Sequence, residues 1–117
     1  MWELLQRSKG YGVSILEKGQ QEWSNRFAGG TVDASGNWVP WPEDVSRFDG
    51  IDCVRGTASG ALLLPGALAQ LDCTHEGQLD GGDHTIFVGR VEAATAVERG
   101  EGDPLVYHAG GYRMLMK

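Results

Sequence analysis

The chain has 117 residues and a formal net charge of −6, from 16 acidic and 10 basic side chains. A surface that binds nucleic acid needs clustered Lys and Arg, so this acidic balance argues against DNA or RNA as a partner. No run of about 18 apolar residues is present, which excludes a membrane-spanning helix. A chain of this length predicts one domain over residues 1–117, with a core of limited size.

Glycine content and cysteine usage narrow the class further. Eighteen glycines and four prolines imply many turns between short elements, which favours a mainly β architecture over a helical bundle. Charged residues interrupt the apolar ones at the N-terminus, so no secretory signal is indicated there. With only Cys53 and Cys73 present, we expect reduced thiols and a cytoplasmic protein.

The first half of the chain predicts two short helices around one strand. Apolar residues at positions 2, 4 and 5 predict a helix over 2–9, and the alternation of residues 11–16 predicts a strand. Residues 20–28 predict a second helix, in which Trp23 and Phe27 are four apart and share a face. Residues 31–60 are predicted to be an irregular segment. This segment either forms an arm that lies over a partner subunit or the edge of a cofactor, or packs on its own domain.

The second half predicts a long hairpin followed by a short one. After a turn at Pro65-Gly66, a strand over 67–79 leads to Asp80-Gly81, a dipeptide suited to a two-residue turn. The returning strand places Thr85 and Phe87 on one face, with His84 at its start. A polar turn at 99–103 precedes strands over 105–108 and 112–116.

The predicted hairpin register gives His84 open space. If Asp80-Gly81 forms the turn, Leu79 faces Gly82, Gly77 faces His84 and His75 faces Ile86. His84 would then lie opposite a residue without a side chain, where a ligand could approach. The alternative is a histidine satisfied by ordinary hydrogen bonds.

Other chemistry is weakly indicated. Cys73, His75 and His84 share facing parity in this register and are acceptable Zn²⁺ ligands, but no Cys-x-x-Cys or His-x-x-x-His spacing supports a metal site. Cys53 has no nearby histidine in sequence to suggest a catalytic dyad. No Gly-x-Gly-x-x-Gly stands between a strand and a helix, so a Rossmann site is not indicated.

Several blocks together resemble one family. They are GGDHTIFVGRVEA at 81–93, GDPLVYHAGGYRML at 102–115, LEKGQQEWSNRFAGG at 16–30, RFDGID at 47–52 and ALLLPGALAQLDC at 61–73. Their order and spacing resemble the flavin reductase-like family of FMN-binding split barrels, over nearly the whole chain. The resemblance implies a β-barrel with short helices. It also implies an NAD(P)H-dependent flavin reductase, the reductase component of a two-component monooxygenase.

The same resemblance implies the cofactors and the partners of this protein, and it also leaves an alternative function. Family members reduce FMN or FAD with NADH or NADPH, act with a flavin-dependent monooxygenase and are expected to form homodimers. The family's earlier segment, which holds the flavin phosphate, has no counterpart before Met1, so on this interpretation the domain is N-terminally truncated. The alternative function is an inactive truncated module that binds flavin or only dimerises.

The resemblance also assigns candidate residues. His84 is the candidate catalytic residue, and with Gly82 and Asp83 it forms the Gly-Asp-His signature of the cofactor site. An imidazole can donate to the nicotinamide or flavin edge and compensate negative charge during reduction. Ser24, Arg26 and Tyr112 match other family positions and are further cofactor-binding candidates. The plainer alternatives are a turn requirement for Gly82 and Asp83, an ion pair for Arg26 and barrel packing for Tyr112.

Overall fold

A computed structural model describes residues 1–116. The elements in chain order are α1 (Trp2–Arg7), β1 (Gly10–Ile15), a 3₁₀ turn (Lys18–Gln20), α2 (Gln21–Phe27), β2 (Gly30–Val32), β3 (Trp38–Pro40), β4 (Val54–Arg55), β5 (Leu62–Leu63), β6 (Ala69–Asp80), β7 (Thr85–Ala96), β8 (Val106–His108) and β9 (Gly111–Arg113). The mainly β architecture with short helices is confirmed, as are both helices and the long hairpin.

The main sheet has three antiparallel strands in the order β1-β6-β7. Tyr11 of β1 pairs with Cys73 of β6, which in turn pairs with Val91 of β7. Three two-stranded ladders, β2-β3, β4-β5 and β8-β9, lie outside this sheet. The long β6-β7 hairpin carries the candidate histidine at its tip.

The turn of this hairpin differs from the prediction. Asp80 pairs with Thr85, and the amide of Gly81 donates to the carbonyl of His84 at 2.8 Å, so the turn is centred on Gly82-Asp83. Gly82 has a φ of +86°. A two-residue hairpin turn needs a positive φ at its first central residue, and glycine adopts it readily. The predicted register was therefore wrong, and His84 faces Gly81 rather than Gly77.

The irregular assignment of residues 31–60 was wrong in part. This segment holds the β2-β3 hairpin, whose loop is closed by the Asp33 carboxylate accepting from the amides of Ser35 and Asn37, both at 2.9 Å. Strands of three residues are too short to give a periodic signal. The final predicted strand also ends early, at Arg113 instead of residue 116.

Few side chains of residues 1–116 are buried. Leu63, Leu64 and Cys73 form the buried apolar set, and the radius of gyration of 15.6 Å exceeds the roughly 13 Å typical of a compact chain of this size. Val13 and Ile15 remain exposed on one face of the main sheet. The limited core expected from length is thus confirmed. No helix within residues 1–116 is long and apolar enough to cross a membrane.

Candidate functional site

The turn at the tip of β6-β7 presents His84 outward. Its side chain is 63% exposed, and its ring lies against Gly81, where an added Cβ would overlap the imidazole. The prediction that His84 faces Gly77 across space open to a ligand was therefore wrong, because His84 faces Gly81. The space above Gly81 is filled by the imidazole itself.

Asp83 contacts the same imidazole. Its Oδ1 lies 2.8 Å from Nδ1 of His84. Neighbouring residues in a regular strand point to opposite faces, but here the backbone is still turning, so the two side chains meet. The turn is further held by Asp80, whose carboxylate accepts from the amide of Gly82 at 2.9 Å. The turn therefore brings the Asp83 carboxylate within hydrogen-bonding distance of the His84 ring, with the Asp83 side chain 98% exposed.

His84 borders a cleft of about 460 Å³ between the hairpin and α1. One side is formed by Met1, Trp2 and Leu5, and the other by Asp83, His84, Thr85 and Phe87. The aromatic and aliphatic walls with a polar rim are typical of small-molecule sites. This cleft can hold a flat ring beside the imidazole.

Two further clefts adjoin the His84 cleft one after the other through shared lining residues. A cleft of about 550 Å³ shares Met1, Leu5 and Phe87 with the His84 cleft. A third, of about 320 Å³, includes Ser24 and shares Gly12, Phe48 and Leu62 with the second. The candidates His84 and Ser24 thus lie at opposite ends of a row of adjacent clefts.

Tyr112 joins Ser24 through its hydroxyl. The Tyr112 oxygen lies 2.8 Å from Oγ of Ser24 and donates to Oδ1 of Asn25 at 2.9 Å. Its ring packs edge-on against Tyr107, with centroids 5.2 Å apart. The structure therefore brings Ser24 and Tyr112 together, and the contact ties the β8-β9 hairpin to α2.

Arg26 is occupied by contacts within the protein. Its Nη1 donates to the carbonyls of Asp49 at 2.7 Å and Arg47 at 3.3 Å, and its guanidinium lies 4.5 Å from the centroid of Trp41. An ion pair with Glu22 at 3.4 Å completes the set. These contacts join α2 to the 47–49 segment and leave Arg26 turned toward protein groups.

The surrounding structure changes the pKa values of both cysteine thiols and of one buried carboxyl group. Burial raises the pKa of the Cys73 thiol, with the neighbouring Asp72 adding to the effect, and burial followed by Asp52 raises the pKa of Cys53. Both cysteines are free and neither is activated as a nucleophile. Within residues 1–116, no three His, Cys, Asp or Glu side chains are grouped to hold a metal ion.

Asp72 is the buried carboxylate and lies outside the His84 cleft. It is 3% exposed and accepts from the amides of Ala58 at 2.9 Å and Ser59 at 3.1 Å, and from the Ser59 hydroxyl. The Ser59 hydroxyl and then the Ala58 amide lower the pKa of this carboxyl. Asp72 therefore anchors the loop before β5.

Comparison with known proteins identifies the family. The model of the family described as "Flavin reductase like domain" matches residues 1–116. The chain belongs to the flavin reductase-like family. The resemblance found in the sequence blocks is thus confirmed.

Individual members of the flavin reductase-like family are similar over most of this chain. The NADH-dependent FAD reductase of Streptomyces globisporus is 40% identical over 103 residues, covering 88% of this chain and 50% of that protein. The reductase component of 4-hydroxyphenylacetate 3-monooxygenase from Thermus thermophilus is 37% identical over 113 residues, covering 97% and 60%. The chain spans about half the length of the first of these relatives.

Solved structures of flavin reductases superpose on this chain. The Streptomyces globisporus C-1027 NADH:FAD oxidoreductase SgcE6 superposes with a TM-score of 0.71 and 35% identity, over 90% of this chain and 55% of that chain. The flavin reductase PheA2 superposes with a TM-score of 0.73 and 28% identity, over 100% and 64%. The split-barrel fold class predicted for this flavin reductase-like chain is therefore confirmed.

The sequence alone did not predict that Trp2 and Phe87 line the His84 cleft. Trp2 was assigned only to a helix, and Phe87 only to a strand face, yet both line the His84 cleft. The signal for Phe87 was present, because Thr85 and Phe87 alternate on one strand face next to His84. No sequence signal placed α1 over the hairpin, since that contact joins residues more than 70 positions apart.

Proposed function

We propose that this chain acts as an NAD(P)H-dependent flavin reductase with His84 as its catalytic residue. The observation that carries the proposal is the exposed imidazole, oriented by Asp83 at the rim of an aromatic-walled cleft. Relatives named as NADH-dependent FAD and FMN reductases support the reaction class. The cofactors are FMN or FAD as hydride acceptor and NADH or NADPH as donor.

The residues of the row of clefts fit such ligands. Clefts of about 460 and 550 Å³ fall in the size range of small-molecule sites, and Phe87 lines both. The flavin would supply the hydride-accepting ring. What the chain supplies is orientation and charge compensation: His84 offers a ring nitrogen to the bound cofactor edge, while Asp83 holds the imidazole in place. Gly82 permits the turn that makes this pair possible.

Ser24, Arg26 and Tyr112 have a supporting part in this proposal. Ser24 lines the far cleft, where its hydroxyl would hydrogen-bond a polar part of the flavin. Tyr112 lines a separate cleft with Lys18 and Gln21, and would act by holding Ser24 through its own hydroxyl. Arg26, whose guanidinium already contacts protein carbonyls, would act by holding α2 in place. In this proposal Ser24 contacts the flavin directly, whereas Tyr112 and Arg26 support the site through their contacts with other residues.

The partners in this proposal are a monooxygenase and a second copy of the chain. Relatives include reductase components of monooxygenases, so reduced flavin would pass to such an enzyme. Val13 and Ile15 leave an apolar sheet face uncovered, which a second copy would cover in a homodimer. Sedimentation of Ile15→Glu against the wild type tests this contact, because a buried charge would shift the association equilibrium toward monomer.

The second candidate is a flavin-binding or dimerisation module without turnover. It is favoured by the small buried core, since a site with few supporting contacts holds its ligands less rigidly. On this view the exposed sheet face serves association, and His84 is a turn residue whose contact with Asp83 stabilises the hairpin tip.

Steady-state NADH oxidation with added FMN or FAD separates the two candidates. We expect turnover in the wild type and a fall of roughly 100-fold in His84→Ala, the usual scale for loss of a charge-stabilising group. His108→Ala is the control, because His108 is also exposed but lies on β8. Folded wild-type protein that oxidises no NADH at saturating flavin leaves only the module. Turnover that survives His84→Ala leaves a reductase without this catalytic residue.

A further inference from the structure

Trp2 lies on the wall of the His84 cleft that α1 supplies. Met1, Trp2 and Leu5 form this wall, and the polar rim and Phe87 lie opposite. The Trp2 side chain is 52% exposed, so a large aromatic surface is left in contact with solvent. A half-exposed tryptophan beside an open cleft is available to stack on a flat ligand.

Contacts between α1 and the hairpin hold this wall in place. The carbonyl of Lys9, just after α1, accepts from the amide of His75 at 2.9 Å. On the helix itself, Gln6 approaches Gln78 at 3.5 Å. Leu5 is half-buried and lines both the His84 cleft and its neighbour. These contacts tie α1, and with it Trp2, to β6, the first strand of the hairpin whose tip carries His84.

The two adjacent clefts differ in what surrounds them. The larger one is lined mostly by apolar groups, including Leu4, Phe48 and Leu62. The His84 cleft instead has Asp83, His84 and Thr85 on its rim. A ring that carries a carboxamide needs an apolar surface for its face and polar groups for its amide, and the His84 cleft offers both.

We infer that Trp2 is a positioning residue that stacks on the nicotinamide ring of NADH bound against His84. The inference rests on the proposed reductase function and names the end of the dinucleotide that enters this cleft. In the bound state the indole covers the ring on the α1 side, and the rim residues hydrogen-bond the carboxamide. Stacking restricts the ring to orientations in which it stays beside the imidazole.

Kinetics of Trp2 variants form the first test. In Trp2→Ala we expect kcat/KM for NADH to fall roughly 2- to 10-fold, as loss of an aromatic stack implies. The fall should appear in both a higher KM and a lower kcat, because a ring that no longer stacks is held less well beside the imidazole. Trp2→Phe should recover most of the loss. Trp38→Ala is the matched control, since Trp38 is 51% exposed but lies on β3. Circular dichroism should show equal folding for all variants.

Energy transfer forms the second test and needs no turnover. Tryptophan emission overlaps the absorption of reduced nicotinamide, so bound NADH should quench tryptophan fluorescence, and because transfer falls with the sixth power of distance, an indole that touches the ring should be quenched most. Trp2→Phe should therefore remove a larger share of the quenching on NADH binding than Trp38→Phe removes. Titration with ADP-ribose, which lacks nicotinamide, should give equal affinities for the wild type and Trp2→Ala.

The outcomes are separable from those of the proposed function. An unchanged kcat/KM and unchanged transfer in Trp2 variants, with His84→Ala still impaired, overturn the role of Trp2 and leave the reductase intact. Weaker ADP-ribose binding to Trp2→Ala overturns the assignment by placing the adenine end against the indole. A wild type that oxidises no NADH refutes the reductase function, and the transfer measurement still decides whether Trp2 contacts bound NADH.

Discussion

The Nδ1 atom of His84 lies 2.8 Å from the Oδ1 atom of Asp83, its immediate neighbour in the chain. Such a bond between consecutive residues requires a turning backbone, because side chains in a regular strand alternate between faces. The turn centred on Gly82-Asp83 meets this requirement. Gly81 completes the arrangement by leaving room for the imidazole above its own Cα.

Gly81→Ala should impair the site without touching a functional group. The added Cβ would overlap the His84 ring, so the imidazole must leave the position in which it contacts Asp83 and borders the cleft. A displacement of this kind predicts a loss of NADH oxidation of roughly 10- to 100-fold. Steady-state kinetics measure it, and far-ultraviolet circular dichroism checks that the fold persists.

Gly77→Ala is the matched control for this prediction. Gly77 lies on β6 in the same hairpin, and a Cβ there meets no atom within 4 Å. Its activity should equal that of the wild type. Equal activity of Gly81→Ala and Gly77→Ala would contradict the role given to the orientation of the imidazole.

Arg26 is expected to act on stability rather than through direct cofactor contact. Arg26→Ala removes two hydrogen bonds to carbonyls and the contact with Trp41, and we expect a loss of about 2 kcal/mol in the free energy of unfolding. Arg26→Lys should recover only part of it, because an ammonium lacks the planar fork. Urea unfolding measures the loss. A stable Arg26→Ala protein with weakened flavin binding would instead support direct contact.

The Tyr112 hydroxyl should stabilise the attachment of the β8-β9 hairpin. Tyr112→Phe deletes its contacts with Ser24 and Asn25 while keeping the ring packed on Tyr107, so we expect a loss of about 1 kcal/mol. Tyr107→Phe is the control on the same hairpin, since Tyr107 is exposed. Denaturant unfolding of the three proteins at neutral pH decides it, and equal midpoints would refute the assignment.

Asp72 should make the protein sensitive to acid. Hydrogen bonds lower the pKa of its folded-state carboxyl, so near and below about pH 4 the unfolded chain binds more protons than the folded one. Stability contributed by Asp72 is therefore present above pH 4 and is lost as pH falls through the folded-state pKa. Unfolding midpoints of the wild type should decrease as the pH is lowered from about 6 to about 3.

Asp72→Asn tests the source of that decrease. The variant should be less stable than the wild type at neutral pH, because the amide presents one oxygen where the carboxylate presents two, and its midpoint should fall less on acidification. Glu76→Gln is the control: Arg90 lowers the pKa of Glu76 as well, but this pair is exposed and contributes little. Equal acid dependence of Asp72→Asn and the wild type would contradict the assignment.

Periodicity identified the long elements correctly. Residues 2–9, 11–16 and 20–28 were assigned to the right types, and the pairing of β6 with β7 followed from two β-rich runs joined by a glycine-rich turn. The predicted register of the β6-β7 hairpin was wrong because Asp80-Gly81 and Gly82-Asp83 are both acceptable as the two central residues of a turn. Local propensity alone does not choose between them, whereas the ladder from Asp72 to Asp80 does.

The amino-acid sequence by itself determined the β-rich class, the family through its ordered blocks, and His84 with its glycine-rich flank as the candidate centre. The β-rich class follows from composition and alternation, which are local along the chain, whereas the family and the His84 candidate follow from the resemblance of the ordered blocks to a known family. Only the tertiary structure decided that Asp83 bonds His84, that Trp2 faces the same cleft, and that Arg26 contacts the carbonyls of the 47–49 segment. Each of these depends on a turn register or on contacts between distant segments, and no local pattern encodes them.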